Sequence, residues 1–129
     1  MLNCHVDGPF THEQLSELYG TVDFMIFPTT LKESLGLVGV EALTCGCPVI
    51  GSNIGCLPEY IKNGYNGYLF ECGNPEDLAA KIETYYHLDI DFQKLLRLNA
   101  YKSSRRYDSV IVAGKMIEVL KDVSNINNL

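Results

Sequence analysis

Two carboxylates, Glu33 and Glu41, stand eight positions apart in the run Glu33-Ser-Leu-Gly-Leu-Val-Gly-Val-Glu41, shortly after the apolar stretch Val22-Asp-Phe-Met-Ile-Phe27. An ionised carboxylate accepts two hydrogen bonds at once and so matches the paired hydroxyls of a sugar. Between the two, Gly36 is placed to open a helix, and a helix start offers unpaired amides and a positive dipole end that suit a diphosphate. Helical side chains lean toward the N-terminus, so Glu41, about one turn in, would reach toward that ligand while Glu33 waits in the preceding loop. The arrangement predicts a binding site for a nucleotide sugar. Taken singly, Glu33 reads as a dipole-favoured loop residue and Glu41 as a solvated helix residue; the flanking sequence favours the binding reading.

The stretch from Glu33 to Ser52, followed by Gly55-Cys-Leu-Pro-Glu59 and Asn63-Gly-Tyr-Asn-Gly-Tyr-Leu-Phe70, closely resembles the donor-binding half of retaining glycosyltransferases of family 4, or group 1. These are GT-B enzymes with two facing Rossmann-like domains, and the resemblance runs over roughly residues 3 to 120. It implies that Glu33 is the catalytic-site glutamate that hydrogen-bonds hydroxyls of the donor sugar, helped by the amides of Leu35 and Gly36. The amides of Leu37 and Val38 would meet the diphosphate, and Glu41 would hold the ribose hydroxyls. The loop Val6-Asp-Gly-Pro-Phe10 takes the place that lines the nucleobase, which makes Gly8 and Phe10 weaker candidates. Glycine is expected at position 36 because a side chain would obstruct close backbone approach to the ligand. The spacing from Pro28 to Glu33 is one residue longer than the commonest family form, so the sugar-facing loop is expected to be reshaped.

The resemblance further implies a nucleoside-diphosphate sugar as substrate, no cofactor and no metal, and a glycan or lipid-linked acceptor in polysaccharide biosynthesis. The family's phosphate-binding Arg and Lys come from a segment that would precede residue 1, and its acceptor-side histidine from a separate N-terminal domain. Two carboxylates repel a diphosphate, and without those cations only helix amides oppose the repulsion. Weak donor binding and no transfer by the chain alone are therefore expected. Two rivals stand beside this reading: a non-catalytic nucleotide-sugar-binding or assembly module that pairs with another chain, and a sugar-nucleotide epimerase of similar architecture, which fits the run from Glu33 to Ser52 less well. Uracil, guanine and adenine all remain open as the base, as does the sugar.

Composition bounds the rest. A chain of 129 residues, 47% of them apolar, predicts one domain with a core. Ten basic against sixteen acidic residues give a net charge of -6, with Arg105-Arg106 the largest basic cluster, which argues against a nucleic-acid partner. No apolar run approaches the roughly 18 residues of a membrane span, and the N-terminus lacks a signal peptide's basic and apolar regions. A cytoplasmic location is expected, with peripheral attachment at the inner membrane surface left open. The five cysteines, Cys4, Cys45, Cys47, Cys56 and Cys72, form no Cys-x-x-Cys pair and read as reduced, mostly buried thiols. His5, His12 and His87 lack metal-ligand spacing. Asp89-Ile-Asp91 has the spacing that metal-dependent transferases of another fold use, yet between two late helices it reads as a helix-start cap. The tyrosines at 65, 68, 85 and 86 read as packing residues, with Tyr65 in a glycine-flanked turn the exception.

These residues need elements to place them. His5 to Phe10 reads as the end of a strand. Thr11 and Gln14 form a capping box for a helix that buries Leu15, Leu18 and Tyr19 and stops at Gly20. Val22 to Phe27 is of strand length, a helix spans about Leu37 to Thr44, and Pro48 to Ser52 is a buried strand. A brief helix over Pro58 to Lys62 and a strand over Gly67 to Glu71 follow. Asn74-Pro75 opens a helix that buries Leu78, Ile82 and Tyr85 or Tyr86. Two more helices are predicted, about Asp91 to Arg105 and Asp108 to Val123, the last burying Val110, Gly114, Ile117 and Leu120; the tail Ser124 to Leu129 reads as frayed. Strands alternating with helices indicate an α/β fold, a partial Rossmann-like doubly wound parallel sheet of about four strands with C-terminal helices. A complete sheet of this type has about six. Residues 1–129 are accordingly expected to form a single, N-terminally truncated nucleotide-sugar-binding domain, with Met1 an artificial boundary, an internal start or the beginning of one piece of a split enzyme. Self-association through an exposed sheet edge is expected to follow.

Overall fold

The computed structural model describes residues 4–127. Their order is α1 (His12–Thr21), β1 (Met25–Phe27), α2 (Leu37–Thr44), β2 (Val49–Ser52), α3 (Leu57–Tyr60), β3 (Gly67–Phe70), α4 (Pro75–Tyr86), α5 (Ile90–Ser104), a 3-10 turn (Arg105–Tyr107) and α6 (Ser109–Asn127).

Local hydrogen bonding explains where three of the helices begin. Thr11 accepts from the Gln14 amide at 3.3 Å while the Gln14 side chain accepts from the Thr11 amide at 2.9 Å, closing the capping box of α1. Asn74 accepts from the Asp77 amide at 3.0 Å, with Pro75 in the first turn of α4. Asp89 accepts from the Phe92 amide at 2.8 Å, so the Asp89-Ile-Asp91 tripeptide starts α5, as a cap should. The far end of α1 is closed from a distance. Arg97 of α5 donates to the carbonyls of Val22 at 2.7 Å and Gly20 at 3.2 Å, supplying donors that the helix end lacks.

The sheet has three parallel strands in the order β1-β2-β3, with Ile26 opposite Ile50 and Ile50 opposite Tyr68. The expected fourth strand is not formed: residues 5–10 run as exposed coil. That segment contains Pro9, which has no N–H for a ladder, and among the described residues no strand lies beside it to take up its backbone groups. Along β2 the side chains alternate between two cores. Val49 joins Leu43 of α2 and Leu57 and Tyr60 of α3, while Ile50 joins Tyr68, Phe70, Tyr85 of α4 and Leu96 of α5. Helices thus cover both faces of the sheet, which is the Rossmann-like α/β arrangement.

Several burial expectations are corrected. In α1 Tyr19 is buried, but Leu18 is exposed and Leu15 half-buried. Tyr85 faces the core and Tyr86 does not. Cys47 and Cys56 are buried, Cys45 and Cys72 half-buried, and Cys4 exposed. The largest difference is α6, where Val110 is 78%, Ile117 52% and Leu120 61% exposed, and a Cβ at Gly114 would meet nothing. The apolar stripe exists, but α6 leaves the body after the 3-10 turn, its chief neighbour, and no surface of the described residues faces it. The helix also continues through Ser124 to Asn127, where fraying was expected; residues 128–129 lie outside the described residues. No helix among the described residues is long and apolar enough to cross a membrane.

Candidate functional site

Beyond the carboxyl end of β1 the chain makes a loop of residues 28–36 and enters α2. An open cleft of about 470 Å³ lies there, floored by Phe27 and lined by Glu33, Ser34 and residues 35–38. Glu33, Leu35, Gly36, Leu37 and Val38, the sugar and diphosphate candidates, are therefore brought to one place. Unlike α1, α4 and α5, α2 has no capping side chain. The first-turn amides of Leu37 and Val38 lack that acceptor, and both residues are exposed.

Gly36 has φ +66 and ψ +58, the left-handed region. A Cβ there would lie 2.9 Å from the Phe27 ring and 3.0 Å from the Tyr60 hydroxyl. Backbone conformation and internal packing therefore each require glycine at this position, apart from any approach of a ligand. Tyr60 itself was not among the sequence candidates. Its buried hydroxyl donates to the Gly36 carbonyl at 3.3 Å and also fills the space a Cβ on Gly39 would need. Burial, followed by the neighbouring Cys56, Tyr107 and Glu33, pushes the Tyr60 phenol far above its ordinary range, so it remains a proton donor. No local signal in the sequence points to Tyr60, because the contact joins residues 24 apart in the chain.

Glu33 is held through its backbone and its side chain. Its carbonyl accepts from the Cys56 amide at 3.2 Å and its amide donates to the Leu31 carbonyl at 2.9 Å. Its Oε1 accepts from the Thr29 hydroxyl at 3.3 Å. Glu41 lies elsewhere. It lines a separate groove of about 80 Å³ between α1 and α2, with His12, Tyr19 and Thr44 on its walls. After burial, the Glu41 charge is the next cause raising the Tyr19 phenol. The two glutamates thus line different depressions on α2. Phe10 joins neither: it borders a shallow surface with Gln14 and Leu18 on the outer side of α1, and Gly8 is exposed in the same loop. His12 is an exposed residue of α1, as its sequence position predicts, and it also borders the Glu41 groove, a relationship set by the packing of α1 on α2. Among the described residues no Lys or Arg lines the cleft or the groove. Among the described residues no three His, Cys, Asp or Glu side chains gather as a metal site would require.

A parallel sheet covered on both faces, with a strand-end cleft that joins a loop carboxylate to an open helix start, defines a Rossmann-like α/β domain. Residues 2–103 match the family model described as glycosyl transferases group 1, and the chain belongs to that family. The sulfoquinovosyl transferase of Arabidopsis thaliana is 32% identical over 104 residues, which are 78% of this chain and 20% of that protein. Among solved structures, Anabaena HepE in complex with UDP is 31% identical with a TM-score of 0.75, covering 82% of this chain and 29% of HepE. Sucrose-phosphate synthase from Thermosynechococcus elongatus gives 25% identity and a TM-score of 0.81 over 93% of this chain and 30% of that one. The chain therefore spans about a fifth to a third of the length of these relatives.

Proposed function

We propose that this chain supplies the donor half of a retaining hexosyl transfer from a nucleoside-diphosphate sugar to a glycan or lipid-linked acceptor. The observation that carries this reading is that the Glu33 carboxylate and the uncapped start of α2 share one open cleft. HepE has been crystallised with UDP, with UDP and glucose, and with UDP-glucose, and its likeness to this chain supports a donor of that class. Glu33 orients the sugar, with the amides of Leu35 and Gly36 beside it. The amides of Leu37 and Val38 receive the diphosphate, whose charge grows as the glycosyl bond breaks, so the helix start binds the transition state more strongly than the ground state. Glu41 takes the ribose from the neighbouring groove. The acceptor is presented by polypeptide other than residues 1–129, and no metal takes part.

With no Lys or Arg among the described residues of the cleft, helix amides alone offset carboxylate repulsion, and the affinity for nucleotide sugars falls in the high micromolar to millimolar range, without turnover. Saturation-transfer NMR of the purified chain against UDP, GDP, ADP and their sugars tests this. Saturation of ribose and sugar protons by one base series is expected; no transfer to any member would overturn the reading.

A second reading, an assembly module that pairs with another chain, is favoured by the outer edge of β1. No strand pairs with it among the described residues, and Ile26 is 39% exposed. Sedimentation distinguishes the two: a stable dimer that binds no nucleotide favours the module.

A further inference from the structure

We infer that Thr29 is the positioning residue that aims the Glu33 carboxylate into the cleft, an assignment that rests on the donor-binding reading above. The backbone around Glu33 is fixed by the Cys56 amide and the Leu31 carbonyl. Backbone anchoring leaves three side-chain torsions free, so something else must choose the direction of the carboxylate. Among the described residues its hydrogen-bond partner is the Thr29 hydroxyl, 3.3 Å from Oε1.

A hydroxyl has one proton to give and can accept as well. Thr29 Oγ1 accepts from the Leu31 amide at 3.1 Å, which fixes its lone pairs inside the loop. Two acceptors then compete for its proton, the Glu33 carboxylate at 3.3 Å and the Leu31 carbonyl at 3.4 Å. The ionised carboxylate wins because charge-assisted bonds are about twice as strong. Thr29 is itself held: it is half-buried, and its carbonyl accepts from the Cys72 thiol at 3.7 Å. The linkage thus runs from β3's end through Cys72 and Thr29 to Glu33. Four residues separate Pro28 from Glu33, which gives the loop length to turn back so that the side chain at 29 meets the one at 33.

The test compares the wild-type chain with Thr29→Val, which keeps the shape and removes the hydroxyl, and Thr29→Ser, which restores it. Three-bond NMR couplings along the Glu33 side chain read its rotamer without any ligand. One rotamer is expected in the wild type and in Thr29→Ser, with averaging in Thr29→Val while amide shifts remote from the loop stay put. Titration with UDP-glucose and UDP reads the consequence: Thr29→Val loses about tenfold toward UDP-glucose and little toward UDP, and Thr29→Ser recovers the loss. Unchanged Glu33 couplings in Thr29→Val would overturn the assignment, as would an equal loss toward both ligands. If UDP-glucose and UDP bind no form of the chain but the couplings average as expected, donor binding fails for this base and the positioning role of Thr29 stands.

Discussion

Gly55 rests on the backbone of Glu33. A Cβ at position 55 would lie 2.8 Å from the Glu33 nitrogen and 2.9 Å from its carbonyl oxygen, and Gly55 adopts φ +60. Both the left-handed backbone and the lack of room require glycine. Gly55→Ala is expected to cost about 1–3 kcal/mol of stability. Because the displaced atoms belong to Glu33, the substitution should also weaken UDP-glucose more than UDP. Urea unfolding and parallel NMR titrations check the two parts, and an equal effect on both ligands would show that the loop moves without carrying the sugar contact.

Gly39 of α2 and Tyr60 of α3 form a second close pair. Gly39→Ala drives a methyl into the Tyr60 hydroxyl, an overpacking expected to cost about 1–3 kcal/mol. Tyr60→Phe loses the bond to the Gly36 carbonyl, for about 1 kcal/mol. Combined, the two should cost less than their sum, because phenylalanine removes the atom the alanine strikes. An additive double-mutant cycle would mean that the two residues do not share the contact.

Much of the site was legible because its parts are neighbours in sequence. Glu33 to Val38 lie on one strand-loop-helix passage, so placing the helix start placed the cleft. The caps at Thr11, Asn74 and Asp89 close over three or four residues and follow from side-chain chemistry alone. Relationships that span the chain were not legible: Tyr60 with Gly36, Arg97 with the end of α1, and the position of His12 beside Glu41. The apolar stripe on α6 shows the other limit. Periodicity says which face is apolar, and only the fold says whether anything covers it. The segment His5 to Phe10 failed as a strand for a related reason, since a strand exists only with a partner to pair it.

Glu41 is separated from the Glu33 cleft, so its contribution should be separable by ligand. If the groove between α1 and α2 takes the ribose, Glu41→Gln removes a charged acceptor shared by two hydroxyls and weakens UDP and UDP-glucose alike by about tenfold. Saturation of the ribose protons should fade in this variant, whereas in Glu33→Gln only the sugar protons should fade. Loss of sugar saturation with ribose saturation intact in Glu41→Gln would reverse the assignment of the two carboxylates.

Cys47 gives the fold a pH dependence that the site does not need. The thiol is fully buried between α2 and β2, and burial pushes it from 9.0 up to about 11, against an opposing pull from the Arg97 charge. The folded state therefore keeps this proton to higher pH than the unfolded chain. Between about pH 9 and 11 the native state binds more protons, so stability falls as pH rises; below about pH 9 the contribution is fully present. The difference of about two pH units corresponds to about 3 kcal/mol by the end of that window. The buried phenols of Tyr19, Tyr60, Tyr68 and Tyr85 are also raised, chiefly by burial, and add to the alkaline loss, so the informative quantity is a comparison of chains. Cys47→Ala should be less stable than the wild type at neutral pH because it leaves a cavity. Its stability should then fall less steeply across the window, so that the two urea midpoints converge near pH 11. Parallel slopes for the two proteins would show that the thiolate is not what unfolds the wild type in alkali.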